Sequence, residues 1–538
     1  MTAGYGNPGK RQSWADAATA SVFAVLALII IFTFQDYGIS WDEELHVPYG
    51  HKLLAFYTSG FADRSAFSFI NLYQYGGFFD LVSALAALIS PFGEYETRHL
   101  IGGVFFLAGL FGAWRLATLL AGAGAGFLTV VCLATTPLLY GHSFINPKDA
   151  PLAWLGVWVA YYVCRILGEQ SATWRSIVGL GVSLGLALGM RIIAFAFIGQ
   201  IASIVGALAL GLLLTQRFPE AAAKTWRAAK PFLLALPIAL VVMGIVWPWS
   251  VQAPGNILSV FTDSANLYWH PDMLWAGRII NSADLPASYL IVLLAVQMSE
   301  VVLLGILLVT ARMLMGARAW RAATLTEPRT LQYLYLALTV IVPLGAFALL
   351  TPSTYNGVRH FLFVVPQLVM LAALGLAWAL TELARRTHAV ALVFAGVLAL
   401  GLIHQVVVMV RVHPYQYLAF NSLTGGLSGA AERFELDYWG VTYKEATAGL
   451  AAYVLDARAA GRIGPEKSLL FVCGANTSAG YYLPDTLDIT DDLTKADFYM
   501  GADPTNPRCR VRPEGRAIVE VKRDGAVLSY VLDLKAGP

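Results

Sequence analysis

Apolar residues run through this chain in long blocks, broken by short polar loops. A helix crossing a hydrocarbon core of roughly 30 Å needs about 20 mostly apolar residues. By that measure the pattern predicts about eleven spans, centred near 17–35, 98–120, 126–143, 150–167, 176–190, 192–214, 231–250, 289–311, 331–350, 361–383 and 388–410. The fifth is short and glycine-rich, which predicts a tilted or broken helix. Phe78 to Ser90 is apolar but shorter than a span, and is predicted to lie at the interface or dock on the bundle. Beyond Arg411 the pattern changes. Tyr443 to Arg462 has helical spacing with no breaker before Gly461. Ser468 to Cys473 reads as a short buried strand, and Ala517 to Asp533 as a hairpin turning at Arg523-Asp524-Gly525. The predicted fold is an α-helical polytopic membrane protein with a small C-terminal α/β domain. Residues 1–16 form a cytoplasmic tail, 17–410 the membrane unit and 411–538 the soluble unit.

Composition agrees with this picture. Of 538 residues, 57% are hydrophobic and 13% charged, against about 25% charged in ordinary soluble domains. A soluble globule has too little interior to hide that much apolar surface. Lys plus Arg number 36 and Asp plus Glu 34, with no basic stripe of the kind a nucleic acid requires. The first apolar run, Ala17 to Phe34, is too long for a signal-peptide core and lacks a small-residue cleavage pattern, so it reads as a retained span. Alternating the loops from an inside N-terminus places 15 Lys and Arg inside and 7 outside before residue 411. That bias predicts a cytoplasmic N-terminus and, with an odd number of spans, an outer C-terminal unit. The expected setting is a bacterial inner membrane, with the site facing the periplasm. Cys132 and Cys164 lie in apolar runs and read as small buried hydrophobes. Cys473 and Cys509 fall in the polar C-terminal part, where a disulfide between them competes with two separate thiols.

The predicted outer loops are long and chemically dense. Ser40-Trp41-Asp42-Glu43-Glu44-Leu45-His46 follows the first span. It reads either as an N-cap with an acidic first turn or as a general base, made more basic by partial desolvation. In His142-Ser143-Phe144-Ile145-Asn146-Pro147-Lys148-Asp149-Ala150-Pro151, Pro147 and Pro151 bracket Lys148-Asp149 and hold a defined turn before the next helix; Asp149 as an N-cap is the structural alternative. Arg191 and Arg359-His360 stand at span ends, where charge is costly; snorkelling to the interface competes with a ligand role. Tyr268-Trp269-His270-Pro271-Asp272 reads as an interfacial aromatic belt or a sugar-stacking platform. No P-loop, dinucleotide fingerprint, HExxH or paired CxxC is present.

Together these features resemble the GT-C superfamily of membrane glycosyltransferases, in particular its protein O-mannosyltransferase and lipid A aminoarabinose transferase branch. The resemblance rests on Asp42-Glu43 after the first span and Asn146-Pro147-Lys148-Asp149 before a helix. Ala283-Asp284-Leu285-Pro286-Ala287-Ser288-Tyr289 opening a span, and Arg359-His360-Phe361 with Pro366, also look like that branch. It covers roughly residues 15 to 410. The C-terminal part, with Asp437-Tyr438-Trp439-Gly440, does not match the β-trefoil of some eukaryotic members.

The resemblance implies an inverting glycosyltransferase that moves a hexosyl or pentosyl group from a polyprenyl-phosphate donor to an acceptor hydroxyl at the outer face. Asp42 would then be the base and Glu43 would orient donor or acceptor. Lys148, Arg191, Arg359 and His360 would hold the leaving phosphate. Asp149, His142, Asn146, Tyr268, Trp269 and His270 would position donor or acceptor. The acceptor could be a glycolipid, a polysaccharide or a protein; no nucleic acid and no cofactor are expected. A divalent cation shared by Asp42 and Asp149 would face the competing positive charge of Lys148. A lipid-linked sugar transporter or flippase is the rival reading, which midplane-broken helices with buried ions would favour.

Overall fold

The computed structural model describes residues 8–169, 171–265, 270–317, 321–474, 476–502 and 512–536. Its helices in chain order are α1 (Pro8–Thr33), α2 (Trp41–Thr58), α3 (Phe78–Ala87), α4 (Glu94–Ala121), α5 (Ala123–Ala134), α6 (Pro137–Ile145), α7 (Asp149–Gly168) and α8 (Trp174–Leu188). They continue with α9 (Phe195–Thr215), α10 (Phe218–Val246), α11 (Asn256–Ala265), α12 (Tyr289–Gln297), α13 (Glu300–Ala317), α14 (Pro328–Leu350), α15 (Val365–Arg386) and α16 (His388–Val412). Among the described residues, eight helices are long and apolar enough to cross a membrane: α1, α4, α7, α9, α10, α14, α15 and α16. Each coincides with a predicted span. On α16, Leu392, Val393, Leu400 and Val410 remain 68–73% exposed. Apolar surface on that scale needs lipid rather than water around it. The protein is an integral, multi-pass membrane protein.

The other three expected spans are not single straight helices. The stretch 126–143 is α5 and α6, bent by 64°. Thr135 and Thr136 turn their hydroxyls back to the carbonyls of Val131 and Cys132 (2.8 and 2.7 Å), and Pro137 then offers no N–H to continue the ladder. The stretch 176–190 is α8, only 15 residues long. The stretch 289–311 is broken into α12 and α13 at Met298 and Ser299. Carbonyls beside that break are taken by a residue from far along the chain. Asn421 donates its side-chain amide to Ala295 (2.7 Å) and Met298 (2.9 Å), and its backbone N–H to Val296 (2.8 Å). Ser422 N–H donates to Glu300 (2.7 Å).

The central helices are α7 and α15, most of whose residues are buried, while α1 and α16 face outward. Close approach at the centre uses small residues. A Cβ on Gly305 of α13 would lie 2.5 Å from the Ala372 carbonyl oxygen on α15. One end of the bundle collects the long loops: Ser40 meets Ile145, Gly77 meets Val246, Phe78 meets Gly189 and Tyr289 meets Gly357. The opposite end is joined by plainer contacts, such as Tyr333 to Leu120 and Gln332 to Cys164.

At the loop-rich end, β1 (Asp272–Trp275) and β2 (Arg278–Asn281) form a hairpin. Residues 413–442 are mostly irregular and pack on the bundle. The helix Tyr443–Ala459 follows, then a five-stranded sheet of β3 (Ser468–Val472), β4 (Leu487–Ile489), β5 (Phe498–Ala502), β6 (Arg516–Arg523) and β7 (Ala526–Asp533). Its order is β4-β3-β5-β7-β6. The β3 strand runs parallel to β4 and β5, and β7 antiparallel to β5 and β6. Asp524 and Gly525 both have positive φ, as the tight β6–β7 turn requires. Cys473 is disulfide-bonded; Cys509, its expected partner, lies outside the described residues. Cys132 and Cys164 are free and buried.

Candidate active site where the helix ends meet

The acidic cluster after the first span serves two purposes at once. Ser40 caps α2: its N–H donates to the Glu43 carboxylate (2.9 Å), and its hydroxyl lies 2.7 Å from the Ile145 carbonyl. Glu43 is buried and turned toward His99, whose Nε2 is 3.2 Å from Oε1. Glu43 thus anchors the start of α2, and its carboxylate is held on that side rather than in the cation cluster beside it.

Asp42 points the other way, toward cations drawn from two distant segments. Lys148 Nζ lies 3.0 Å and Arg359 Nη1 2.7 Å from the same oxygen, Oδ2. The Arg359 contact closes a separation of 317 residues. Burial pushes the Asp42 pKa up, but Lys148, Arg359 and His46 push it down harder and hold it well below the usual carboxylate range. Desolvation was expected to make Asp42 more basic; with two cations on one oxygen, the net effect is the reverse.

The second predicted loop forms the opposite wall. Asn146 accepts the N–H groups of Lys148 (3.2 Å) and Asp149 (2.9 Å), which fixes the turn into α7. The cap at that helix start is therefore supplied by Asn146, and the Asp149 side chain is left to pair with Arg191. Asn146 also donates to Asp149 Oδ2 (3.1 Å). Tyr75 joins the two ion-paired sets, with Lys148 5.4 Å and Arg191 5.7 Å from its ring centre. Asp42, Arg191 and Lys148 keep 19, 16 and 14% of their side-chain surface open, so the cluster can be reached from outside.

The C-terminal segment closes a third side. Trp41 N–H donates to the Trp439 carbonyl (3.1 Å). Arg359 lies between the rings of Tyr355 (4.9 Å) and Trp439 (5.2 Å). The loop Asp437-Tyr438-Trp439-Gly440 is tied around the buried Asp437 carboxylate, which accepts the Val441 and Thr442 N–H groups (3.0 and 2.9 Å). Gly141 lets this segment in, since a Cβ there would be 2.4 Å from Tyr417 N.

The remaining candidates lie nearby in different roles. His142 is fully buried, packed edge-on against Tyr417 and Trp439, with Nε2 3.5 Å from the Tyr438 hydroxyl. His360 is 2.8 Å from the Thr354 hydroxyl and packs on Tyr355. His270 is exposed and meets Ser353 (2.9 Å), on the loop leading to Arg359. Tyr268 and Trp269 lie outside the described residues. Tyr75, Tyr355, Tyr438 and Trp439 were not among the expected site residues; their aromatic and loop context was visible, but the contacts of Tyr75, Tyr355 and Trp439 with cations and of Tyr438 with His142 were not. One turn along α2, His46 pairs with Asp80 (2.8 Å), which also holds Arg98 (2.7 Å), all three buried. Among the described residues, no group of three or more His, Cys, Asp or Glu is placed to hold a metal ion.

No family model matches the chain, and no curated protein does. Among solved structures it is similar to ArnT from Cupriavidus metallidurans bound to undecaprenyl phosphate, with a TM-score of 0.50 and 15% identity over 96% of this chain and 99% of that one. The apo state of ArnT gives 0.50 and 16%, over 97% and 100%. The archaeal oligosaccharyltransferase AglB from Archaeoglobus fulgidus, in complex with an inhibitory peptide and a dolichol-phosphate, gives 0.47 and 11%, over 91% and 70%. The chain shares the fold of ArnT over nearly its whole length.

Proposed function

We propose that this protein is an inverting glycosyltransferase that takes a sugar from a polyprenyl-phosphate donor and passes it to an acceptor hydroxyl at the outer face of the membrane. The observation that carries this reading is the meeting of Lys148, Arg359 and Arg191 with Asp42 and Asp149, at the end of the bundle where the long loops collect. Such a transfer needs cations for a departing phosphate and a carboxylate for the acceptor proton. The acceptor oxygen attacks the anomeric carbon. The bond from that carbon to the phosphate oxygen breaks, the lipid phosphate leaves with the electron pair, and the hydroxyl proton passes to Asp42. An apolar groove between α4, α7 and α8, lined by Phe105, Trp154, Trp158 and Val182, is where the hydrocarbon chain would run. ArnT, whose fold is shared, has been solved with undecaprenyl phosphate.

No step is assigned to a metal ion. Asp42 and Asp149 are each already paired with side-chain cations, so a divalent ion between them would meet Lys148, Arg359 and Arg191. The test is purified protein with a labelled polyprenyl-phosphate sugar and a membrane extract as acceptor. Labelled product and free polyprenyl phosphate should form, and Asp42→Asn should lower the rate of both about a hundredfold. If vesicles holding the protein move the labelled lipid across the bilayer without converting it, the chain is a flippase.

A further inference from the structure

In this fold the proposed base and the proposed leaving group require the same two cations. Lys148 and Arg359 both grip Oδ2 of Asp42, which leaves Oδ1 outside both ion pairs. Arg191 is paired with Asp149. Three cations thus face two carboxylates, one positive charge in excess. A phosphodiester carries about one negative charge and a phosphomonoester between one and two. The cluster can therefore neutralise a diester headgroup, but a monoester exceeds its spare charge and must draw cations away from a carboxylate. Arg359 is lightly tethered apart from Asp42: its Nε is buried without a hydrogen-bond partner, and its guanidinium rests on the rings of Tyr355 and Trp439, contacts less directional than hydrogen bonds. Lys148 sits on a flexible stem over Tyr75.

Resting on the glycosyltransferase reading, we infer that Asp42 occupies the leaving phosphate's place on Lys148 and Arg359, so that sugar transfer itself releases the base. As the bond from sugar to phosphate stretches, negative charge grows on the phosphate oxygens. Lys148 and Arg359 shift toward that charge and off Asp42. The carboxylate gains basicity at the moment the acceptor hydroxyl must lose its proton. Without a phosphate in place, Asp42 stays neutralised, and an acceptor or water that arrives alone meets no base. When the lipid phosphate departs, Asp42 gives the acceptor's proton up to water and takes the cations back.

The experiment is binding of farnesyl phosphate, a short polyprenyl monoester, to the full-length protein in detergent, with thermal unfolding recorded in parallel. Asp42→Asn is expected to bind it at least tenfold more tightly than the wild type and to gain more thermal stability from it. Glu44→Gln removes an equal charge two residues along that is outside both ion pairs, and should stay within about twofold of wild type. Unchanged or weaker binding in Asp42→Asn overturns the shared-cation inference, as does equal tightening in Glu44→Gln, which would indicate a general field. Loss of fold in Asp42→Asn even with phosphate present overturns it too, because a phosphate able to replace the carboxylate should restore the unpaired cations. Lys148→Met and Arg359→Gln separate this from the underlying reading. If both bind farnesyl phosphate as the wild type does, there is no phosphate site at this cluster and the proposed function falls.

Discussion

Asp42 and Asp80 are each held by two partners, and the helix α2 contributes to both arrangements one turn apart. Asp42 pairs with Lys148 and Arg359, while Asp80 pairs with His46 and Arg98. Exposure differs: the Asp80 set is open by only 1–3% of its side-chain surface, whereas Asp42 keeps 19%. The difference is one of exchange. A carboxylate locked among buried partners can hold helices together but has no room for a substrate. A carboxylate at the edge, gripped by cations on movable stems, can give them up to another anion. Similar chemistry thus becomes scaffold at one position and a candidate working group at the other.

The largest effect should come from breaking the buried set. Asp80→Asn leaves Arg98 without its counter-charge and is expected to lower stability by about 3 to 5 kcal/mol, read by thermal unfolding. The pH dependence has a definite sign. Burial raises the Asp80 pKa, but His46 and Arg98 outweigh that, and it lies below the ordinary carboxylate value. Its contribution is therefore complete above about pH 4 and lost as the pH falls through the folded-state value. The gap in melting temperature between wild type and Asp80→Asn should narrow as the pH falls below about 4.

Next in size is Asp42→Asn, with turnover expected to fall about a hundredfold while the melting temperature moves little. A variant that unfolds as readily as Asp80→Asn would erase the distinction between the two sets. Tyr75→Leu removes the ring beneath Lys148 and Arg191, and should raise the donor KM about fivefold, from about 1 kcal/mol of cation–π attraction, with kcat little changed. The smallest effect belongs to Ser40→Ala. Losing the hydroxyl that bonds Glu43 and the Ile145 carbonyl should reduce stability by about 1 kcal/mol, measured by the same unfolding transition.

How far the sequence was legible follows from the range of each interaction. Hydropathy is local, so the eight straight spans and the β6–β7 turn at Asp524 and Gly525 could be read directly. Gln297, Ser299 and Glu300 interrupt the apolar run at the break between α12 and α13, but that its carbonyls are satisfied by Asn421, more than 120 residues on, could not be read from them. The capping box from Ser40 to Glu43 was visible as one of two readings of the acidic cluster. The structure divides that cluster, with Glu43 in the cap and Asp42 among the cations. The low basicity of Asp42 was not legible, since it depends on Arg359 lying 317 residues away. Charged residues inside apolar stretches, Asp80 and Arg98, were the signal at hand for the buried set.

The contact of Asn421 with the broken helix pair also bears on where this protein can be cut. A shortened chain ending at Val412 would keep every long apolar helix, and by hydropathy would look complete. It would nevertheless lack the amide that satisfies Ala295, Val296 and Met298, within the bundle rather than at its surface. Ser422 packs against His404, about 12 Å back along α16 from its end at the usual rise per residue. Unpaired carbonyls in an apolar setting cost several kcal/mol each. The workable seam for exchanging the sheet unit with that of another protein therefore lies beyond Trp439, close to Tyr443, and a chimera joined there should insert and fold where one joined at residue 412 does not.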